Sequence, residues 1–301
     1  MNTIQILIDA TALGSVYALM AVGIGLVFGV LRLVNFAYGQ LIMAGAYTLA
    51  LTNGMNPALS ILICFAVVLG LTVTMDLVAF RPLRGASPAT MLVATFAISL
   101  LLYYIALLKF TVQGKTVGTL TGLNRPIGHG TLIVRWIWVV DVGAAAIALA
   151  ALLLLLNRTN LGLHMRAAAT DFRTARLLGV RANSTIFVAV LLSGVLAAVV
   201  AVLLSAETPY ITPDYALRDT IVVLVGVVVG GLDRLWSATL GGFAIGFASQ
   251  ALAGFLPSTG SWPFTSGVYI DSAVFALVVL TLLVRPSGLF VRRGQRAVER
   301  V

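Results

Sequence analysis

The sequence predicts an all-α membrane protein whose helices cross the bilayer many times, and three observations predict it. Of the 301 residues, 60% are apolar and only 10% are Asp, Glu, Lys or Arg, against about 25% charged in an ordinary soluble domain. Mean hydropathy is +1.06. The apolar runs are long and unalternated, as in 142–156 and 186–204, whereas a membrane β-barrel needs tilted strands of about ten residues with alternating polarity. Most soluble enzymes are excluded, because so few charges could not cover a soluble surface of this size.

Length sets the number of segments. A helix crossing about 30 Å of hydrocarbon needs about 20 residues, so the chain has room for roughly eight to ten. Apolar spans fall at about 4–30, 36–52, 58–80, 88–110, 136–156, 184–206, 218–231, 236–256 and 268–284. The first is expected to stay as a membrane helix. It lacks a basic start, Asp9 interrupts it, and apolar sequence continues to about Leu31, unlike a cleaved leader. With about eight or nine membrane segments, some short or re-entrant, residues 1–301 read as a single membrane domain.

The net charge of +9 first reports topology, because Lys and Arg of short loops stay cytoplasmic. With the C-terminus inside, fourteen of the nineteen cations lie on the cytoplasmic side, from Arg32, Arg81 and Arg84 through the 158–181 arginines and Arg234 to the tail. Lys109, Lys115, Arg125, Arg135 and Arg218 lie outside. This orientation puts the N-terminus out and the C-terminus in, and it leaves the positive excess no role in nucleic-acid binding.

Two spans are short. Residues 218–231 make a helix of roughly 21 Å, and 36–52 is marginal. Gly39 and Gly45 lie in one, Gly226, Gly230 and Gly231 in the other. Short, glycine-interrupted segments in the two halves point to discontinuous helices around a transport path. The same glycines also suit close helix packing, and the sequence leaves both readings open.

Catalytic and metal motifs fail on spacing. Gly114-Lys115-Thr116 resembles the end of a phosphate-binding loop, but the glycine required five residues earlier is Lys109. His129 and His164 fall in different loops without companion ligands, and a metal site needs three or four. Cys64 reads as a buried thiol. Asp9, Asp76, Asp141 and Asp271 lie in or at the ends of spans. Each is expected near an interface, where an intramembrane charge costs less than the roughly 2.5–3.5 kcal/mol of the bilayer centre, and Asp76 can find Arg81. The lack of a compelling carboxylate at mid-depth weakens a proton-coupled carrier.

The most informative loop is 157–183, the longest cytoplasmic one, with five arginines. Its pattern predicts a surface-lying helix on which Ala167, Asp171, Ala175 and Gly179 recur every four residues along one face. Such a helix suits anionic lipid, or a partner that approaches closely over the small residues.

The order Gly162, Arg166, Ala167, Asp171, Ala175, Gly179, Val180 resembles the coupling segment in permeases of branched-chain amino acid ABC importers of the LivH/LivM type. Four further segments resemble the same family in register. They are Gly14-Ser15-Val16-Tyr17-Ala18-Leu19 leading to Asn35-Phe36-Ala37-Tyr38-Gly39-Gln40; Arg81-Pro82-Leu83-Arg84-Gly85; the glycine-rich 226–246; and Arg285-Pro286-Ser287-Gly288-Leu289-Phe290. Nearly the whole chain is covered, and its length favours the LivH-like member of the pair.

The resemblance implies a non-enzymatic permease subunit in a prokaryotic cell (inner) membrane. It implies an import system for branched-chain amino acids or a related small polar solute, working by alternating access. Its implied partners are two cytoplasmic ATP-binding subunits, a second, LivM-like permease and an extracytoplasmic substrate-binding protein, with membrane lipid around them. ATP would be bound by the partner subunits, and no cofactor by this chain. Polarity and resemblance together place the substrate path along Ser15, Asn35, Tyr38, Gln40, Thr95 and Ser99, with 218–231 opposite. The family's His and Glu after Asn-Phe-Ala are here Tyr38 and Gln40, which makes that strip less charged. The competing reading is a stand-alone secondary transporter or channel for a small organic solute.

Overall fold

A computed structural model describes residues 3–31, 34–83, 86–127, 134–170, 172–177, 182–231, 235–255 and 267–284. The chain begins with α1 (Thr3–Leu31) and the short α2 (Tyr38–Leu51). Next comes α3 (Pro57–Met75), which runs through one π turn (Asp76–Phe80) into a last turn, α4 (Arg81–Leu83). After α5 (Pro88–Phe110) lie β1 (Lys115–Thr116), a 3₁₀ turn (Thr121–Asn124), β2 (Pro126–Ile127) and β3 (Val134–Arg135). Then follow α6 (Trp136–Arg158), α7 (Asn160–Thr170), α8 (Phe172–Leu177) and α9 (Ala182–Glu207). The chain continues through β4 (Tyr210–Ile211), α10 (Leu217–Gly230), α11 (Leu235–Phe255) and α12 (Gly267–Val284).

Local chemistry sets several boundaries. Asn56 accepts the Ala58 N–H at 3.0 Å and Ser87 accepts the Thr90 N–H at 3.2 Å, each followed by proline in the first turn. These are the preferred cap and first-turn residues of a helix. At the other end of α10, Gly231 takes φ of 109°, a conformation that L side chains avoid and that stops the helix.

Six of these helices are long and apolar enough to cross a membrane: α1, α3 with its continuation to Leu83, α5, α6, α9 and α11. The expected spans at 36–52 and 218–231 are shorter helices of fourteen residues each. The all-α expectation holds for the body of the protein. The additions are β1 paired antiparallel with β4, and β2 with β3. These strands cap what we call the loop end, where Asn53 Nδ2 donates to the Thr116 carbonyl at 2.6 Å. Lys115 and Thr116, the false phosphate-loop motif, are simply strand β1.

The bundle is organised around α1, which packs on α6, α9, α10 and α11. Helix α11 runs antiparallel to it, with Leu235 against Gly25, Gly246 against Gly14 and Gly254 against Ile6. Gly226 and Gly230 of α10 meet Gly241 of α11 almost backbone to backbone. Lipid offers helices no hydrophobic reason to associate, so small residues that admit close contact determine which faces meet. The late glycine-rich stretch is this seam. Cys64 is buried beside Gly45.

Candidate functional site

The two short helices define the centre of the molecule. At about 21 Å each, neither reaches across the bilayer alone. Helix α2 ends at the loop end, where Asn53 follows it. Helix α10 runs the other way, to the Gly230–Ser237 contact at the α11 start. Their N-termini therefore lie inside the bundle, and they touch. A Cβ on Gly39 would come 2.5 Å from Thr220 Oγ1 and 2.9 Å from the Ala216 carbonyl, so only glycine admits this crossing. Aligned peptide dipoles give each helix N-terminus a partial positive charge, and here two such ends converge within protein.

The chain before each short helix is folded by local hydrogen bonds. Asn35 Oδ1 accepts the Ala37 N–H at 3.0 Å, and the Gln40 N–H reaches the Ala37 carbonyl at 3.1 Å. Ahead of α10, the Tyr215 N–H reaches Thr212 and the Leu217 N–H reaches Asp214. Irregular backbone is tolerated at membrane depth where protein satisfies it. Both readings of the glycines hold: the helices are discontinuous, and Gly39, Gly226 and Gly230 are packing positions.

All six expected path residues are buried, and four of them come together. Tyr38 is 0% exposed. Its phenol fills a notch at Gly23 of α1, where any side chain would collide with it. Tyr38 Oη and Gln40 Oε1 have no hydrogen-bond partner among the described residues. Asn35 is joined to Thr95 through Val34, whose carbonyl accepts Thr95 Oγ1 at 3.4 Å. Thr95 also donates to Leu92 at 2.9 Å, and Ser99 lies one turn further along α5. Ser15 stands apart, about 12 Å up α1 from Gly23, and donates back to Thr11 at 2.8 Å.

Residues that sequence reasoning missed complete the junction. Ser193 of α9 donates to the Gly23 carbonyl at 2.8 Å, and Thr220 faces Gly39. Tyr17 donates to Asp219 in the first turn of α10 at 2.8 Å. Asp219 also complements the positive end of that helix. The available signal was an acidic residue opening the fourteen-residue segment; nothing in the sequence paired it with a tyrosine some two hundred positions earlier.

The expected coupling segment is described in part. Asp171 and Gly179 lie outside the described residues, as does His129. Gly162 is buried in the turn from α6 into α7, where a Cβ would strike the Leu155 and Leu156 backbone. Ala175 is buried and Ala167 half-buried, while Arg166 is exposed. The described small residues thus face inward more than the four-residue repeat implies. Among the described residues of α7 and α8, Asn160, Leu161, Leu163, His164, Arg166, Thr174 and Leu177 are exposed. At this same end Asp76 is fully buried in the π turn and accepts from Arg81 Nε at 3.0 Å, as expected. Arg81 also lies over the Phe187 ring of α9.

The profile of the family described as "Branched-chain amino acid transport system / permease component" matches residues 6–284. The high-affinity branched-chain amino acid transport system permease protein BraD of Pseudomonas aeruginosa is 29% identical over 312 residues, covering 99% of this chain and 98% of that protein. LivH of Escherichia coli K12, with the same description, is 27% identical over 316 residues, at 99% and 97% coverage. A probable LivH of Methanocaldococcus jannaschii is 28% identical over 298 residues, at 95% and 91%. Among solved structures, PsaBC from Streptococcus pneumoniae in complex with Fab matches with a TM-score of 0.52 and 13% identity, over 95% of this chain and 93% of that one; that likeness concerns the fold alone.

Proposed function

The chain belongs to the branched-chain amino acid transport permease family, and from that premise we propose that it is the LivH-like permease of an ATP-driven importer for branched-chain amino acids. It is a multi-pass membrane transport component and not an enzyme. The single observation that carries the path is the meeting of α2 and α10 inside the bundle. Their N-termini offer partial positive charge to an anionic group such as a carboxylate. Asn35, Tyr38, Gln40, Thr95 and Thr220 supply polar atoms around them, and Ser15 and Ser99 extend the strip along α1 and α5.

In this reading the loop end faces out and receives solute from a binding protein. The α4, α7 and α8 end faces the cytoplasm and two ATP-binding subunits, which hold the ATP. The arginine bias supports that orientation. The coupling set is Gly162, Arg166, Ala167, Asp171, Ala175 and Gly179, and a LivM-like second permease completes the pair. ATP binding drives import by favouring one permease state over the other.

The test is reconstitution of this chain in proteoliposomes with the partners encoded beside it. ATP inside and binding protein outside should together drive accumulation of labelled leucine, isoleucine or valine. Uptake by this chain alone, driven by an ion gradient and indifferent to ATP, would overturn the proposal in favour of a stand-alone carrier.

A further inference from the structure

Lysine is rare in this chain. Of its 19 basic residues two are lysines, Lys109 and Lys115, and the rest are arginines. Both lysines lie at the loop end, and both reach the same ring. Lys109 Nζ is 5.8 Å and Lys115 Nζ 5.4 Å from the Phe110 centroid. Tyr47 of α2 stacks on Phe110 at 4.2 Å and 11°, so the two ammonium groups share what Tyr47 leaves of the ring. Both lysines are exposed, and neither pairs with a carboxylate among the described residues. A ring face is a weak partner for an exposed cation, and two like charges gathered on one ring repel.

Backbone structure brings the second ammonium back to the first. Helix α5 ends at Phe110, and Thr111 takes φ of 61°, a left-handed value uncommon for a β-branched residue. Gly114 has φ of 64°, and a Cβ there would stand 2.5 Å from the Ile211 carbonyl. Tyr210 Oη donates to the Gln113 carbonyl. Lys115 pairs opposite Ile211 in the β1–β4 ladder, and the Val117 N–H reaches the Pro209 carbonyl at 2.7 Å. The position of Lys115 is therefore held on both sides, before and after it in the chain.

The surface beside the pair is apolar. Leu101, Ile105 and Leu108, at spacings of four and three, share one face of α5, and Val112 follows just beyond its end. All four are exposed, Leu108 at 85% and Val112 at 74%. On a membrane-crossing helix this stripe meets acyl chains, and it leads to the two cations. Lysine binds phosphate as a compact point charge, and its stem lies along apolar surface while its head stays in water. A ligand with a negative phosphate above acyl chains matches both halves of the surface. An acidic protein surface would match the cations and leave the stripe uncovered.

We propose that Lys109 and Lys115 bind the phosphodiester headgroup of an anionic phospholipid, with its acyl chains along Leu108, Ile105 and Leu101. The site is separate from the path, and it holds whichever solute is carried.

The test is native mass spectrometry of the full-length permease in its complex, purified in detergent and titrated with dioleoyl phosphatidylglycerol. Dioleoyl phosphatidylcholine is the reference lipid. A lysine near an anionic headgroup contributes about a fivefold change in affinity. Lys109→Gln and Lys115→Gln should each weaken the tightest phosphatidylglycerol binding about fivefold, and the double variant about 25-fold, with phosphatidylcholine binding unchanged. Lys109→Arg with Lys115→Arg should keep most of the affinity. Arg125→Gln, at another exposed cation of the same end, should have no effect. Leu108→Ser should weaken both lipids alike. Phosphatidylglycerol binding unchanged in the double variant overturns the site. Displacement of the lipid from the wild-type protein by millimolar inorganic phosphate overturns the lipid assignment, because the acyl chains would then contribute nothing. A double variant that keeps the lipid but no longer associates with an extracytoplasmic binding protein overturns it in favour of a protein interface.

Discussion

Helices α1 and α5 are about equally apolar, yet most of α1 is buried against protein and most of α5 is not. Hydropathy reports that a helix enters the membrane and says nothing about whether its neighbours are protein or lipid. The difference lies in side-chain size. Helix α1 carries Gly14, Gly23, Gly25, Ala10, Ala12, Ala18 and Ala21, and α5 has no glycine and presents Val93, Phe96, Leu101 and Leu108 outward. Small residues let backbones and foreign side chains approach, which is how helices associate where water supplies no drive.

The comparison breaks most sharply at the Gly23 notch. Gly23→Leu should expel the Tyr38 phenol and cost about 3 kcal/mol, the upper end for overpacking a tight core. The protein should lose its monodisperse fraction in detergent and its transport. A comparable enlargement on the lipid side, Ala97→Leu at an exposed position of α5, should stay within about 0.5 kcal/mol. Equal sensitivity at both sites in a thermal-unfolding assay would refute the size argument. Pairing Gly23→Leu with Tyr38→Ala should recover part of the loss, since the two residues contend for one volume.

Gly39→Val comes next. The neighbours are a threonine hydroxyl and a backbone carbonyl, and the carbonyl cannot swing away. A cost of about 2 kcal/mol is expected, with uptake lost beyond what the stability change explains, because the two half-helices must keep their crossing. Wild-type uptake by a folded Gly39→Val protein would remove the crossing from the path.

How much of this was legible follows the same division. The helical membrane character and the shortness of 36–52 and 218–231 were legible, because length and polarity are written residue by residue. The central place of α1 was legible only in its glycines, whose partners are far away in sequence. Gly23 and Tyr38 meet through a turn, but Ser193, which bonds the Gly23 carbonyl, is 170 residues distant. Asp141 was misjudged for a related reason. Closeness to a helix end suggested an interfacial, solvated carboxylate, and the packing of α6 against α1 and α9 buries it instead. The stripe of Ala167, Asp171, Ala175 and Gly179 suggests from spacing alone a small-residue face open to a partner, whereas Ala175 is buried and Ala167 half-buried.

The Asp76–Arg81 pair is intermediate between the two environments. Asp76 is buried and Arg81 half-exposed, so solvent screening reduces what the pair contributes. Arg81→Gln should cost about 1 kcal/mol. It should also loosen the end of α3 against Phe187 of α9, read as faster hydrogen exchange in 76–83. Exchange unchanged from wild type would make the π turn independent of its ion pair. Tyr38→His with Gln40→Glu tests the path more gently. It introduces titratable groups into the buried strip and should change the ranking of leucine, isoleucine and valine; an identical uptake profile would leave the strip a packing element.

The smallest stability effect belongs to the surface of α7 and α8, and there the comparison with lipid-facing helices becomes most useful. Leu177 is 88% exposed, as apolar and open as the outward side chains of α5, but it belongs to the α7–α8 segment, which also exposes Arg166, His164 and Thr174. Leu177→Ser should alter unfolding by no more than about 0.5 kcal/mol, just as a lipid-facing exchange would. If this surface seats the ATP-binding subunits, the substitution should nevertheless weaken their co-purification and lower solute-stimulated ATP hydrolysis. The double variant Asp171→Arg with Ala175→Trp should uncouple hydrolysis from uptake more completely. A lipid-facing residue gives the first result without the second. Leu177→Ser with full ATPase stimulation, beside an Asp171→Arg, Ala175→Trp protein that still transports, would place this segment with α5 as membrane-contacting surface.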